Sequence, residues 1–251
     1  MRVTAFACSL LVLGACSPDG QETATTSLQN IAEIRSGELT IDVGIAPAGE
    51  EEATGFALEG VFSLPDEAGA LPEADLLYTQ RVEGAEVEGR FISNGDTIFV
   101  EVDGGRTELP PDQIEDFKVT GSASDGSVFG ALDVEEWFSD PTTEEAGDEV
   151  TLSGELDVVA ALNDIFEVAR NFGATIQPIE GSEADIVAES VRSARAEITS
   201  GAEDGLLRGV SLEIDFGVTD QELAEALGPL AGATFTLELD LSNVNEPVDV
   251  E

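Results

Sequence analysis

Carboxylates are the side chains most available for chemistry in this chain, and few other reactive groups accompany them. The 251 residues include 53 Asp and Glu, 10 Lys and Arg, 2 Cys and no His. Without histidine, a Ser-His-Asp triad, a Cys-His pair and any histidine-ligated metal site are excluded. Two carboxylates about 5 to 9.5 Å apart can hydrolyse a glycosidic bond. Among so many acids such a pair arises by chance, however, and Lys118 lacks a preceding Ser-x-x-Lys motif. We therefore predict no enzyme, no catalytic residue, no cofactor and no metal site.

The net charge of −43 is a second constraint on function. A surface of this sign repels phosphates, which excludes nucleic acid as a partner. The acids are scattered along the whole chain, and we find no Asp-x-Asp/Asn-x-Asp/Asn-Gly calcium loop. Two explanations of the acidity stay open, cation binding and adaptation to a salty exterior, where salt screens self-repulsion. The scatter favours a solvated acidic coat.

The N-terminal segment carries the most specific motif. Arg2 precedes an apolar run from Val3 to Leu13, which is shorter than the roughly 20 residues of a membrane-spanning helix and fits the core of a secretory signal. The segment ends in Leu13-Gly14-Ala15-Cys16, which resembles the bacterial lipobox. The resemblance implies a signal peptide over 1–15, a lipid-modified Cys16 and a membrane anchor that holds the protein outside the cytoplasm. The alternative is an ordinary signal peptide with an incidental cysteine.

The rest of the chain divides into a polar tether and one predicted domain. Residues 16–27 are mostly small and polar, which is typical of a flexible linker. We assign 28–251 to a single domain. Period-2 alternation predicts strands around Leu39–Ile45, Phe56–Phe62, Ala194–Thr199, Val210–Phe216 and Phe235–Leu241, with weaker candidates at 76–78, 87–91 and 150–154. Asn94-Gly95 predicts a hairpin, and Asp103-Gly104-Gly105 predicts the next turn.

Three helices are predicted besides two short ones, the first after Pro110-Pro111 and the second from the cap Asp133 through Trp137 and Phe138. A polar acidic loop is predicted from there to Glu149. The first of the three longer helices begins after the cap Asp157, carries an apolar stripe from Val158 to Phe172 and ends at Gly173. The second begins at Ser182 and buries Ile186, Val187 and Val191. The third covers 219–228, behind a capping box of Thr219 and Glu222. Trp137 is predicted to be a packing anchor.

Most predicted strands have one apolar and one polar or acidic face, which indicates a single antiparallel sheet with one wet face. The helices must then cover the apolar face. Two outcomes are open: side chains fill the space between sheet and helices as an ordinary core, or they leave an apolar cavity for an acyl chain. Periodicity does not choose between these two outcomes.

The order of the motifs resembles the actinobacterial lipoproteins of the LprG and LppX group, in the LolA/LolB-like superfamily. The resemblance lies in the lipobox, FISNGDTIFVEVDGG, LDVEEWFSDP, VTLSGELDVVAALNDIF, RAEITSGAEDGLLRGVSLEIDF and FTLELDLSNVNEPV. It implies an α+β fold, a half-barrel in which helices cover the concave face of a curved antiparallel sheet. It also implies binding or carriage of a lipid or lipid-linked glycan in a hydrophobic cavity within the cell envelope, with no protein partner specified.

By the same resemblance, thirteen apolar residues are the candidates to line the cavity. Those of the strands are Leu39, Ile41, Phe56, Leu58, Ile98, Val100, Leu212, Ile214, Leu237 and Leu239, and those of the helix are Leu162, Ile165 and Phe166. The alternative for each is ordinary core. The rival function is an anchored structural or protein-interaction module with a solid core and no ligand.

Overall fold

The fold is dominated by one open antiparallel sheet. The computed structural model describes residues 33–48, 53–65, 69–82, 84–114, 137–171, 177–218 and 231–250. The sheet has eleven strands in the order β6-β5-β4-β3-β2-β1-β11-β10-β9-β8-β7. The strands are β1 Ser36–Ala46, β2 Thr54–Ser63, β3 Glu73–Val82, β4 Ala85–Asn94, β5 Ile98–Val102, β6 Gly105–Glu108, β7 Phe138–Ala146, β8 Glu149–Leu156, β9 Val191–Gly201, β10 Leu207–Phe216 and β11 Thr234–Ser242.

The strand order places two meanders side by side. The chain runs outward from β1 to β6, reappears at the opposite edge in β7 and returns to the centre in β11, which pairs with β1. That central pair joins Glu38 to Ser242 and Ala46 to Thr234. Since β6 and β7 do not pair, the sheet is open. The predicted antiparallel sheet is thereby confirmed, including the strands expected at 76–78, 87–91 and 150–154. The helix end and acidic loop predicted from Phe138 onward are wrong, because this segment pairs with β8 as strand β7.

Two hairpins follow the predicted turn chemistry. Gly95 has a φ of 86° at the β4–β5 turn, and the Asn94 side chain accepts hydrogen bonds from the backbone N–H groups of Asp96 and Thr97. Asn94 therefore closes this turn through its side chain, while glycine supplies the left-handed backbone. At the β5–β6 turn, Asp103 and Gly104 both have positive φ, of 52° and 75°, as a tight two-residue hairpin requires.

Three helices accompany the sheet within the described residues: α1 (Pro111–Ile114), α2 (Val158–Asn171) and α3 (Ser182–Ser190). The predicted cap of α2 is confirmed, because Asp157 Oδ1 accepts hydrogen bonds from the N–H groups of Val159 and Ala160, each at 3.1 Å. Asn163 of α2 then binds the chain before α3. Its Nδ2 donates to Ile179 O at 3.1 Å, and Ile179 N donates to its Oδ1 at 2.7 Å.

The prediction for α3 is partly wrong. Ile186 was expected to be buried, yet its side chain is 41% exposed, and Val191 belongs to β9 instead of the helix. The helix ends at Ser190, because Val191 has an extended backbone and pairs with Phe216 of β10. A helix of nine residues presents little more than two turns, so tertiary contacts decide which side is covered.

Several sequence predictions lie outside the described residues. These are the signal peptide with Cys8 and Cys16, the tether 16–27, Lys118, Phe172 with Gly173, and the helix expected over 219–228. The division into signal, tether and single domain stays a prediction. No helix in the described part of the chain is long and apolar enough to cross a membrane.

Candidate functional site

The apolar face of the sheet runs without a break in register from one half to the other. Residues that pair directly across antiparallel strands point to the same face. One cross-strand row contains Val102, Gly89, Tyr78, Leu58, Ile41, Leu239, Val210, Ile198 and Leu152. A second row contains Val87, Gln80, Phe56, Val43, Leu237, Leu212 and Ala196. Both rows are almost entirely apolar.

The half of this face on β8–β11 is a packed core, which we call the covered half. Ile198, Leu212 and Ile214 are fully buried. Helix α2 contributes Val158, Ala161 and Leu162 to the same buried cluster. The two helices α2 and α3 lie in the chain between β8 and β9, which explains why their apolar residues meet this half of the sheet.

Trp137 belongs to the same cluster and confirms the predicted packing anchor. Its side chain is 1% exposed, and its Nε1 donates a 2.7 Å hydrogen bond to Asp164 Oδ2 on α2. A buried indole N–H needs such an acceptor. The bond ties the residue just before β7 to the helix, and so helps to fix α2 over the covered half.

The other half of the same face is open to solvent at one end. Its side chains there are 36–56% exposed. We call this set the open patch: Ile45, Phe56, Tyr78, Val82, Val87 and Val102. All six share the apolar face by register, and they come from adjacent strands β1 to β5. Among the described residues, only Leu77 and Ile186 are further exposed large hydrophobic side chains.

The centre of the open patch is aromatic. The rings of Phe56 and Tyr78 stack with centroids 6.0 Å apart and an interplanar angle of 29°. Gly89 lies beside Tyr78 in the next strand, so no side chain stands between Tyr78 and Val102 in this row. The stacked rings of Phe56 and Tyr78 therefore lie beside a position, Gly89, that has no side chain. This surface suits an extended hydrocarbon chain.

The opposite face of this half carries the charges. Arg81 Nη2 donates to Asp42 Oδ1 at 2.6 Å, Arg90 forms a double hydrogen bond with Asp75, and Arg106 pairs with Glu101 at 3.5 Å. The hydrogen bond to Asp42 raises the pKa of Arg81 above its ordinary value. Arg106 also stacks over the ring of Phe99 at 4.2 Å. The arginines are thus structural partners of the acidic coat.

Within the described ranges, no group of three or more Cys, Asp and Glu side chains is arranged to hold a metal ion. The acids of the sheet are separated along the strands and interleaved with the three arginine pairs just described. The site that the geometry offers is therefore an apolar surface.

The comparisons with known proteins give a fold-level likeness. The chain is similar to the crystal structure of LprF from Mycobacterium bovis, at 16% identity over 94% of this chain and 97% of that one, with a TM-score of 0.46. It is also similar to the LolA superfamily protein NE2245 from Nitrosomonas europaea, at 10% identity over 89% and 94% of the two chains, with a TM-score of 0.24. No family model and no curated protein matches the chain.

Both structures have low sequence identity to this chain and low TM-scores when superposed on it. The functional proposal for this chain therefore stands on its own residues.

The thirteen predicted cavity residues fall into five settings. Leu39, Leu162, Leu212, Ile214 and Leu239 are buried in the main cluster, and Ile41, Leu58, Ile165, Phe166 and Leu237 pack against it half-buried. Phe56 lies in the open patch. Ile98 instead belongs to a separate small cluster with Leu71 and Ile114. Its neighbour Val100 is half-buried on the same sheet face.

Sequence reasoning missed five of the six open-patch residues. Tyr78 and Val87 lie in strands that the sequence predicts only weakly, and Ile45, Val82 and Val102 lie at or near the ends of strands. The register of the β3–β4 hairpin pairs Val82 with Ala85 and Gln80 with Val87. This register places Val82 and Val87 on one face.

Proposed function

We propose that this protein is an exported lipoprotein, anchored through Cys16, whose sheet binds the acyl part of a lipid or lipid-linked glycan. In this proposal the sheet is curved, α2 and α3 cover the concave face of its β8–β11 half, and the ligand chain lies along the open patch toward the helices. The protein is a binder or carrier and has no catalytic role.

One observation carries the proposal: the open patch continues the same apolar rows that form the core. A monomeric protein rarely leaves a contiguous apolar surface of this kind without a use. Leaving Phe56 and Tyr78 36% and 38% exposed costs free energy that a hydrocarbon chain covering them would recover. A ligand seated there also reaches Val43 and Leu58, which lie half-buried beside the aromatic pair in the same rows.

The covered half supports the rival function, a tethered module with a solid core. Ala161, Ile198, Leu212 and Ile214 have no exposed surface, so this half is a packed interior. The two proposals therefore differ only at the open patch. A ligand there supports the carrier, and a patch that binds nothing supports the module.

The decisive experiment measures lipid uptake by the mature chain from residue 16 with Cys16→Ser, which removes only the acylation site. A diacylglycerol with one fluorescent acyl chain is presented in phosphatidylcholine vesicles. Covering the exposed part of each aromatic ring gains on the order of 1 kcal/mol. The two rings together contribute on the order of 2 kcal/mol, so we expect Phe56→Ser with Tyr78→Ser to lower the affinity about 30-fold.

Leu77→Ser is the matched control. Leu77 adjoins Tyr78 in β3 and is 41% exposed, but it lies on the opposite, charged face, paired with Glu59 and Arg90. The carrier proposal requires this variant to bind like the parent chain. No uptake by the parent chain, together with no extractable lipid in its mass spectra, would establish the solid-core module instead.

Membrane anchoring is tested separately. In cells, we expect the unaltered protein in the membrane fraction and a Cys16→Ala variant in the soluble extracytoplasmic fraction, because the variant lacks the thiol that receives the lipid. A Cys16→Ala protein that stays with the membrane would show that Cys16 is not the anchor.

A further inference from the structure

We infer that the ligand of the open patch is a lipid whose head group carries no negative charge, with neither phosphate nor carboxylate. This inference rests on the proposed function and narrows its ligand class. It follows from how the charged residues of strands β1 to β6 are divided between the two faces of the sheet.

The apolar face of these six strands carries no Asp, Glu, Lys or Arg. By register, every charged residue of the strands lies on the opposite face. These residues are Glu38, Asp42, Glu59, Glu73, Asp75, Arg81, Glu86, Glu88, Arg90, Glu101, Arg106 and Glu108. A phosphate or carboxylate beside the patch would therefore find no lysine or arginine on the patch face of these six described strands.

The three arginines of these strands are also already engaged. Arg81, Arg90 and Arg106 each pair with a carboxylate, at 2.6, 2.5 and 3.5 Å. Arg81 gives a further hydrogen bond to Val43 O, and its Nε is buried. To bind an anionic head group, an arginine would have to leave its acid, and that ion pair would be lost.

The polar groups that do face the patch are neutral. Gln80 stands between Phe56 and Val87 in one row, and the Tyr78 phenol lies in the next row. An amide and a phenol donate and accept hydrogen bonds, so they suit the hydroxyl, ester or sugar oxygens of an uncharged head group.

Nearby acids add a repulsive element. Glu86 and Glu88 flank Val87 in β4 and are exposed; Glu86 faces Arg81 across the β3–β4 pair and interacts with its charge, whereas Glu88 lies opposite Thr79. An anionic head group at the edge of the patch would come within the Debye length of about 8 Å at physiological ionic strength. Repulsion of this kind selects against one ligand class as much as contacts select for another.

The test compares two probes with identical fluorescent acyl chains, diacylglycerol and phosphatidic acid, presented in phosphatidylcholine vesicles to the mature Cys16→Ser chain. We expect diacylglycerol to bind about tenfold more tightly, since like-charge contacts cost on the order of 1.4 kcal/mol or more. Added KCl should narrow this ratio, because it screens the acids but does not act on the neutral probe.

A charge introduced into the patch gives an independent measurement. Gln80→Arg places an unpaired cation between Phe56 and Val87, and we expect it to tighten binding of phosphatidic acid about tenfold while diacylglycerol changes little. Leu77→Arg is the matched control, because it adds the same cation to β3 on the opposite face, beside Glu59, and should leave the ratio of the two affinities unchanged.

The outcomes separate the two proposals. If neither probe binds, the proposed function fails. If phosphatidic acid binds as tightly as diacylglycerol, or if neither KCl nor Gln80→Arg changes the ratio, the protein is a lipid binder and the inference about the head group is overturned.

Discussion

Leu212 and Phe56 belong to the same cross-strand row, yet they lie in different surroundings. Leu212 is fully buried in the covered half, and Phe56 is 36% exposed in the open patch. Val43 and Leu237 stand between them in the row and are half-buried. Burial thus falls steadily across the sheet while the side chains stay apolar. One half of the face stabilises the fold, and the other half is available to a ligand.

The largest expected effect compares these two positions directly. Leu212→Ala should lower the free energy of unfolding by about 2–5 kcal/mol, because it leaves a cavity in the packed half. Phe56→Ala should cost only about 1 kcal/mol, although more carbon atoms are removed. Urea unfolding followed by circular dichroism measures both. Equal losses would show that the open patch is core and would break the comparison.

Gly60 tests whether the backbone of the open half is tightly constrained, although the side chains of the open patch are exposed. Its φ is 153°, and an added Cβ would meet Asp75 O of β3 at 2.0 Å. Gly60→Ala should therefore cost about 1–3 kcal/mol through backbone strain and a disturbed β2–β3 pairing. Gly104→Asn is the control, because this turn glycine has φ of 75° with nothing within 4 Å of an added Cβ, and asparagine tolerates that conformation. We expect thermal melting to separate the two variants clearly.

The N-cap of α2 allows a test on the covered half, which can be compared with the tests on the open half. Asp157→Ala removes the acceptor for the N–H groups of Val159 and Ala160 and should cost about 1 kcal/mol in urea unfolding. Asp157→Asn keeps an acceptor and should cost less. Binding of diacylglycerol to the patch should be the same in both variants. A variant that loses stability and binding together would show that α2 contacts the ligand.

The smallest effect is expected on the charged face. Arg81→Gln removes the ion pair with Asp42, whose side chains are 30% and 39% exposed, so the loss should be at most about 1 kcal/mol. The loss should shrink in high KCl because salt screens exposed charges. A larger loss of stability that does not depend on salt would mean that the Arg81–Asp42 ion pair holds β1 and β3 in place, and is more than a surface contact.

Local rules in the sequence predicted most of the individual elements. Alternation located the strands and their apolar faces, Asn94-Gly95 and Asp103-Gly104 located two hairpins, and Asp157 located the start of α2. These succeed because turn geometry, capping and a period of two depend on residues close in the chain.

The same rules failed where distant segments decide the outcome. Ile98 alternates like any core residue, but packs with Leu71 and Ile114 in a separate cluster. Ile186 has helical spacing and is exposed. The functional question behind the thirteen candidates, core or ligand surface, depends on what packs against each half of the sheet, and periodicity carries no information about that.

By itself, then, the sequence determined that one face of each strand would be apolar, because side chains alternate across a strand whatever its neighbours are. Only the tertiary structure decided which part of that face would be buried. The central pairing joins residues as far apart as Glu38 and Ser242, and α2 enters the fold between β8 and β9. Its apolar residues therefore join the buried cluster of that half, and the aromatic pair Phe56 and Tyr78 is left at the exposed end of the other.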